Sequence, residues 1–390
     1  MDKLWADSAA AEEDLSDGGE AEPEPEPERD ELEDVISEDE DTEGAGEAAP
    51  LDADACSPQQ VIARIEAVTA ELATALLAEI PTVPALEMQA TGSSGVTNKN
   101  LLSKRDAAST VRLWRVLAEL HANLLAGRTA TQRELYYAIV DGKSVKSATE
   151  VNTAILDAAR LLRVPRAYLG VTCASRGCVT GSLSIREDSG MWVDLAGGTG
   201  RAIPGDTQWI AKMVIRSNAR YVLVVEKDAV FNRLMQEGIC QQLQLIMITA
   251  RGQPDLATRA FVNRVAELLP DAPVLALVDF NPSGVLILST YRQGGKGRHA
   301  MEERYNVNVR WLAARSADVA HIHDDAMQPL SARDQVLLRN MQADARFALF
   351  AHELQAMEGR GKKAELEALY DAELLLINVL TPKILRGDYL

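Results

Sequence analysis

Three short apolar runs in the second half of the chain constrain its fold most strongly. They span residues 221–226, 243–249 and 274–279 and consist mainly of Val, Leu and Ile. Stretches with helical character lie between them, near 228–236 and 255–269. Because strands that alternate with helices pair in parallel and are covered on both faces, the pattern predicts a parallel sheet in an α/β domain.

Acidic side chains end two of the three predicted strands. Glu226 closes the first and Asp279 closes the third, and parallel strands bring such ends to one edge of a sheet. Pro282 and Gly284 predict a tight turn into the next helix, which places Asn281 on the same edge. Two carboxylates and an amide oxygen are donors that suit Mg²⁺. The alternative is that these residues only cap the helices that follow.

The chain upstream of the sheet predicts a compact helical module. One helix is expected over about 106–125, and two more begin at Thr131 and Ser147. A glutamate stands three positions after each of these two residues, at Glu134 and Glu150, which is the pattern of a capping box. The third helix has an apolar face formed by Val151, Ile155, Ala158 and Leu162.

Short β-type runs follow these helices at residues 167–174, 181–185 and 191–195. The last two runs flank four turn residues at 187–190, which indicates a hairpin. Three helices followed by a hairpin predict a winged-helix module in residues 99–200, with the hairpin as its wing.

Tyr137 is the candidate nucleophile of this module. If the second helix begins at Thr131, Arg133 and Tyr137 lie one turn apart on the same face. A guanidinium beside a phenol suits phosphoryl transfer by tyrosine, because it can stabilise a developing phenolate or a phosphorane. The alternative is ordinary core packing, which is common for a Tyr-Tyr pair on an amphipathic helix.

Charge is distributed unevenly along the chain. The formal net charge is −18, yet residues 1–55 hold 23 Asp and Glu against Lys3 and Arg29. Residues 95–170 hold 12 Lys and Arg against 6 Asp and Glu, which is compatible with a polyanionic partner. The acidic composition of the first 55 residues predicts a disordered acidic tail over residues 1–57. An amphipathic helix over 58–80 and a linker are expected to complete residues 58–98.

Several classes of protein are disfavoured. No apolar run is long enough for a membrane helix, and the first residues lack the features of a secretory signal. Four scattered cysteines indicate reduced thiols rather than a zinc site. No Walker motif is present, so any ATP dependence is expected to come from a partner.

Four segments resemble the A subunit of type IIB topoisomerase (topoisomerase VI) and its meiotic relative, the double-strand-break transesterase. They are TQRELYY at 131–137, VLVVEKDAVFNRL at 222–234, MITARGQPDLATR at 247–259 and LVDFNPSGVLIL at 277–288. The resemblance implies a mixed α/β architecture, in which a winged-helix (CAP-like) domain precedes a Toprim domain at 201–390 that ends in a helical extension. In this family the second acid of the Toprim signature is usually Asp, where this chain has Asn281.

The resemblance also implies site residues and partners. Tyr137 would be the nucleophile, assisted by Arg133, and Glu226, Asp279 and Asn281 would hold Mg²⁺. Two protomers would act together on double-stranded DNA, the tyrosine of one working with the metal of the other. A B-type, ATPase-like (GHKL) subunit would dock on the helix at 58–80, and the protein would act in the nucleus.

The resemblance leaves several functions open. The leading hypothesis is a transesterase that initiates meiotic recombination by forming a 5′-phosphotyrosyl link. The first alternative is a topoisomerase VI A subunit that reseals the DNA it cuts. Asn281 favours the meiotic branch, but it also keeps open a catalytically inactive DNA-binding paralogue. A Toprim-only nuclease or primase would leave no protein attached to DNA.

Overall fold

The computed structural model describes residues 56–77, 86–89, 96–99, 104–172, 176–187, 189–294, 304–370 and 376–390. The predicted tail at 1–57 lies almost wholly outside these ranges, as does most of the linker. All described residues belong to one unit, Gly44–Leu390. None of its described helices combines the length and apolar content that crossing a membrane requires.

An N-terminal module contains four helices and two pairs of short strands. In chain order these are α1 (Pro58–Leu77), β1 (Leu86–Gln89), β2 (Val96–Lys99), α2 (Lys104–Leu125), β3 (Ala130–Thr131), α3 (Gln132–Ile139), α4 (Ala148–Leu162) and β4 (Val171–Thr172). Strands β1 and β2 form an antiparallel hairpin inside the segment predicted as a linker, and β3 pairs in parallel with β4. The three predicted helices are confirmed. The amphipathic helix predicted over 58–80 is present as α1, and its last three residues lie outside the described ranges.

Both predicted capping boxes are present. The Thr131 side chain accepts a hydrogen bond from Glu134 N and the Glu134 carboxylate accepts one from Thr131 N, and Ser147 and Glu150 repeat the arrangement. These reciprocal bonds satisfy amides that would otherwise be unpaired in the first turns of α3 and α4. The capping boxes therefore fix where the two helices begin.

The N-terminal module has its own hydrophobic core. Val61 and Ile65 of α1 are buried in it, so the first turns of α1 pack within the module. Buried residues from the other helices complete the core, among them Leu113, Leu117, Leu120, Leu135, Val151 and Ile155. This core ends at Val171 in sequence. A second, larger core begins at Cys178.

The larger core surrounds a six-stranded sheet. Its strands and helices, in chain order, are β5 (Cys178–Gly181), β6 (Leu183–Arg186), β7 (Trp192–Asp194), β8 (Arg201–Ala202), α5 (Thr207–Lys212), β9 (Val214–Ser217), β10 (Tyr221–Val225), α6 (Asp228–Gln236), α7 (Ile239–Leu243), β11 (Leu245–Thr249), α8 (Leu256–Leu268), β12 (Val274–Leu277), α9 (Pro282–Gln293) and β13 (Arg310–Ala313). The strand order is β13-β12-β10-β11-β5-β8.

The predicted parallel sheet is confirmed. Strand β10 pairs in parallel with β11 and β12, and β12 pairs in parallel with β13. The sheet is wider than the sequence indicated, because β5 joins β11 in antiparallel orientation and β8 joins β5. The α/β class therefore holds, with two antiparallel strands added at one side.

The predicted hairpin also forms, as β6 and β7, and β9 joins it as a third strand. Leu183, Ile185 and Leu195 pack in the larger core, whereas the sequence predicted a single module over residues 99–200. The role of this hairpin as a wing stays a prediction. The β-type run at 167–174 is mostly wrong. A 3-10 helix spans Arg166–Leu169, only Val171–Thr172 is strand, and residues 173–174 are not among those described.

The C-terminal part is helical, as predicted. It contains α10 (Ser316–Val319), β14 (Gln328–Pro329), α11 (Ala332–Ala343), α12 (Ala351–Arg360), β15 (Lys362–Lys363) and α13 (Leu376–Arg386). An isolated bridge joins it to the sheet, because Phe280 N donates to Ala364 O (2.9 Å) and Ala364 N donates to Phe280 O (3.1 Å). This bridge brings residues 365–367 to the edge of the sheet where β12 ends.

Candidate active site

Tyr137 lies on the exposed face of α3. The capping box sets the helix to begin just after Thr131, so Arg133 and Tyr137 stand four residues apart on one side. Arg133 Nε and Nη2 each donate to the Tyr137 hydroxyl oxygen at 3.2 Å. The Tyr137 residue is 61% exposed, which leaves its hydroxyl accessible to a large substrate.

Packing in α3 is carried by other residues. Leu135 and Ile139 are buried in the N-terminal core, and Tyr136 packs against that core while half-buried. The Tyr136 and Tyr137 ring centroids are 5.4 Å apart at an interplanar angle of 54°. The core-packing interpretation therefore applies to Tyr136 and its apolar neighbours, whereas Tyr137 is left on the surface.

Glu226 and Asp279 meet at the C-terminal edge of the parallel strands. Val225 of β10 pairs with Leu277 of β12, so the residues that follow these two strands are neighbours. Asp279 N donates to Glu226 Oε2 at 2.9 Å. Asp279 is 4% exposed, and its Oδ1 accepts a hydrogen bond of 2.8 Å from Leu366 N.

A lysine ties further acids to this edge. Lys227 Nζ lies 3.3 Å from Asp279 Oδ2, 3.0 Å from Glu365 Oε2 and 2.7 Å from Glu367 Oε2. We call Glu226, Lys227, Asp279, Glu365 and Glu367 the acidic rim. One ammonium thus neutralises part of a group of four carboxylates that comes from three regions of the chain.

Burial shifts the protonation of the acidic rim. Removal from water, together with the charge of Asp279, raises the pKa of Glu226 to about 7. Burial also raises the pKa of Asp279, although Leu366 N and Lys227 oppose the shift. Partial burial of Lys227 would lower its pKa, but the hydrogen bond to Glu367 and the charge of Asp279 outweigh it and raise that pKa.

Asn281 is held differently from the two acids. It is the N-cap of α9, and its Oδ1 accepts a hydrogen bond from Gly284 N at 2.7 Å. A Cβ at residue 284 would overlap the carbonyl oxygen of Asp279, so only glycine fits beside that strand end. The amide oxygen of Asn281 thus orders the turn that carries Asp279, and one lone pair is left for another partner.

Comparison with known proteins gives the context for this geometry. The family model for the Toprim domain of Spo11 and the topoisomerase 6 A subunit matches residues 221–384, and the model for "Type IIB DNA topoisomerase" matches residues 109–171. Meiotic recombination protein SPO11-2 of Oryza sativa subsp. japonica is 34% identical over 368 residues, which cover 87% of this chain and 95% of that protein. The chain belongs to the family of Spo11 and the topoisomerase 6 A subunit.

Other relatives come from both branches of this family. Meiotic recombination protein SPO11 of Homo sapiens is 31% identical, over 68% of this chain and 68% of that protein. The A subunit of DNA topoisomerase 6 from Arabidopsis thaliana is 32% identical, over 65% of this chain and 60% of that protein. The matched Toprim region contains the whole acidic rim.

Toprim domains bind metal ions, in general Mg²⁺. The donors at the rim fit that ion, because Mg²⁺ is usually held by one or two carboxylates together with substrate phosphate. A cation beside Glu226 would also oppose the burial that raises its pKa. Within the described ranges, no group of three or more His, Cys, Asp or Glu side chains is arranged to hold a metal ion by itself.

Sequence reasoning did not anticipate all of these residues. Glu226 was predicted because it follows a strand of the parallel sheet. The same reasoning applies to Lys227, the next residue, and to Arg251, which lies two residues beyond β11. Glu365 and Glu367 left no signal of this kind, because the bridge between Phe280 and Ala364 brings them to the rim from a distant part of the chain.

Proposed function

We propose that this chain is a DNA-cleaving transesterase that forms the double-strand breaks of meiotic recombination, with Tyr137 as its nucleophile. The observation that carries the proposal is an exposed Tyr137 hydroxyl that accepts two hydrogen bonds from Arg133. The similarity to proteins named for meiotic recombination extends over most of the chain and supports the meiotic role.

In the proposed reaction the Tyr137 oxygen attacks a phosphorus of the DNA backbone. A bond forms between that oxygen and phosphorus while the bond from phosphorus to the 3′ oxygen breaks, which gives a 5′-phosphotyrosyl link and a free 3′-hydroxyl. The phenolic proton passes to a solvent water as the new bond forms, and the departing 3′ oxygen takes a proton from water, so no net proton is gained or lost. One phosphodiester replaces another, so the step needs no ATP.

Arg133 addresses the main energetic obstacle to this attack. A free phenol has a pKa of about 10, so ionising it at pH 7 costs roughly 4 kcal/mol. The guanidinium contacts the oxygen through two nitrogens, which favours negative charge there as the transition state forms. We propose that Glu226 and Asp279, with Asn281 as a neutral third donor, hold Mg²⁺ at the scissile phosphate. When bound, the ion would neutralise charge on the phosphate oxygens.

The partners are proposed on the same basis. The substrate is double-stranded DNA, and two copies of the chain would each cut one strand, with the Tyr137 of one protomer acting beside the rim of the other.

A B-type, ATPase-like (GHKL) subunit would dock on α1. The last turn of α1 supports docking there, because its apolar side chains are on the surface. Leu76 and Leu77 are 46% and 86% exposed, whereas Val61 and Ile65 in the first turns are buried. We propose a nuclear location, because the relatives named for meiotic recombination act on chromosomal DNA.

Mapping of the covalent adduct tests the proposal. The full chain would be incubated with duplex DNA, Mg²⁺ and its accessory proteins, denatured rapidly and digested with nuclease. Mass spectrometry is expected to find a nucleotide on Tyr137. Cleavage without any protein-linked 5′ end would contradict the proposal and indicate attack by water.

A topoisomerase activity is the second candidate, favoured by the similarity to the A subunit of DNA topoisomerase 6. The two functions share the cleavage step and differ in whether the DNA is resealed. Relaxation of supercoiled DNA, assayed with ATP and a B-type partner, separates them. Efficient relaxation with no lasting breaks would replace the meiotic role by the topoisomerase role.

A further inference from the structure

Arg251 lies at the same edge of the sheet as the acidic rim. It stands two residues beyond β11, whose Thr249 is in register with Val225 of β10. Gly252 N donates to Glu226 O at 2.9 Å, so the loop that carries Arg251 is fixed to the backbone of a rim residue. Arg251 is therefore a neighbour of the rim in space, although 25 positions separate it from Glu226 in sequence.

The backbone of Arg251 adopts a conformation that its residue type disfavours. Its φ of 57° lies in the left-handed region, which side chains with a Cβ rarely adopt. Its N–H donates to Thr249 Oγ1 at 3.1 Å, which holds the turn. Glycine would fit this turn without strain. Strain of this kind persists only where the surrounding structure enforces it, and it is found more often than average at functional sites.

The guanidinium of Arg251 is oriented but not saturated. Its Nε donates to Asp228 Oδ1 at 3.0 Å, and Asn232 Nδ2 donates to the other carboxylate oxygen at 3.3 Å. The Arg251 side chain is 51% exposed. In the part of the chain that the structure describes, its two Nη groups have no hydrogen-bond acceptor. Asp228 thus fixes the direction of the fork and leaves its outer donors accessible.

The two cations at this edge differ in their availability. Lys227 is engaged by Asp279, Glu365 and Glu367. Arg251 is paired with one half-exposed carboxylate. A rim with four carboxylates repels the DNA backbone, so a phosphate brought there needs positive charge next to the reacting group. The planar fork of arginine is well suited to bind two phosphate oxygens.

We propose that Arg251 is a phosphate-binding residue, which contacts a DNA backbone phosphate at the acidic rim through its Nη groups while Asp228 positions the guanidinium. The inference rests on the proposed DNA-cleaving function, but it concerns binding and is independent of which residue attacks. It predicts one phosphate contact that carries no information about base sequence.

The test is the salt dependence of DNA binding by full-length Arg251→Gly. The affinity for a short duplex would be measured at several KCl concentrations in EDTA, where no cleavage occurs. Loss of one phosphate contact lowers the slope of log K against log salt by about 0.9 and weakens binding several-fold at low salt. Glycine suits the left-handed turn, so the variant is expected to fold, which circular dichroism and thermal melting would verify. Arg251→Lys should restore part of the affinity.

Arg163→Gly is the matched control. Arg163 also has a left-handed backbone, with a φ of 52°, but it caps the C-terminus of α4 in the N-terminal module. The control removes the same charge from the same backbone conformation within the basic segment 95–170, so it measures how one arginine outside the rim contributes to the slope. An unchanged slope in a folded Arg251→Gly protein would overturn the proposal, whatever the slope of the Arg163→Gly protein. That result would not affect the mapping of an adduct to Tyr137.

Discussion

Adjacent tyrosines on α3 have opposite environments. Tyr136 packs against the N-terminal core, whereas Tyr137 is 61% exposed and its hydroxyl is bonded to Arg133. Successive residues of a helix point about 100° apart, so one position suffices to separate packing from the surface. The pair therefore offers a test in which the same chemical change is made at a core residue and at the proposed nucleophile.

Tyr137→Phe should abolish the covalent DNA adduct without affecting stability. The substitution removes only an exposed hydroxyl, so the melting temperature is expected to change by less than the equivalent of about 0.5 kcal/mol. Tyr136→Phe is the control and should still form the adduct. Adducts are measured by denaturing gels of labelled DNA. Adduct formation by the Tyr137→Phe protein at the wild-type level would exclude Tyr137 as the nucleophile.

Glu226→Gln should change how stability depends on pH. The pKa of Glu226 is raised to about 7, so its contribution to stability is fully present below about pH 4.5 and is lost as pH rises through 7. In EDTA the variant should be within about 1 kcal/mol of the wild type at pH 5. At pH 8 it should be more stable, by about 3 kcal/mol at most.

Urea unfolding at pH 5 and pH 8 measures this difference. Glutamine keeps an oxygen that can accept the bond from Asp279 N, so the local geometry is retained. Glu267→Gln is a suitable control, because Glu267 is an exposed acid on α8. Equal loss of stability with pH in wild type and Glu226→Gln would show that Glu226 is already ionised at pH 5.

At the scale of elements, local signals were predictable and long-range pairings were not. The capping boxes of α3 and α4 and strands β10, β11 and β12 follow from residues within a few positions of each other. Strands β5, β9 and β13 were missed, because each is short and joins its sheet through partners that are distant in sequence. The hairpin β1–β2 was missed because Pro, Gly and Ser nearby indicated a linker.

The beginning of α9 provides a test at this scale. A Cβ on residue 284 would overlap the carbonyl oxygen of Asp279, so Gly284→Ala should displace the strand end or the helix. We expect a loss of stability of about 1–3 kcal/mol, together with weaker Mg²⁺-dependent cleavage. Denaturant unfolding and cleavage assays would measure the two effects.

Gly359→Ala is the control for this substitution. Gly359 lies within α12 and has no atom within 4 Å of the position of a Cβ. Alanine there should stabilise the protein by about 0.5–1 kcal/mol, because it restricts the unfolded chain and favours the helix. If both alanine variants had the same effect on stability, the close approach of α9 to Asp279 would not be what requires glycine.

At the scale of the whole molecule, the nucleophile and the acidic rim belong to different hydrophobic cores. Sequence patterns were sufficient to nominate Tyr137, Arg133, Glu226 and Asp279, because each lies at a defined position on a helix or at a strand end. Sequence patterns did not indicate Glu365 and Glu367 as site residues, because only tertiary packing brings them to Lys227. The pairing of nucleophile and metal across two protomers also stays a prediction from the family resemblance.

Mixed dimers test that pairing. Tyr137→Phe and Glu226→Gln homodimers should both be inactive. In a mixed dimer, a site formed across the interface would combine the intact tyrosine of one protomer with the intact glutamate of the other. One of its two sites would therefore be complete, and it should nick one strand. Nicking is measured on supercoiled plasmid. Without any nicking by purified mixed dimers, each protomer would have to supply both groups to its own site.

The contact between Lys227 and Glu367 joins positions 140 residues apart. A polypeptide still emerging from the ribosome therefore lacks part of this cluster until residue 367 has been synthesised. Fragments released before that point, or cut between the two positions by proteolysis, would carry the tyrosine but not the completed electrostatic environment. Their DNA-cleaving chemistry should be impaired, so the fold ties the capacity to break chromosomes to the synthesis of both regions.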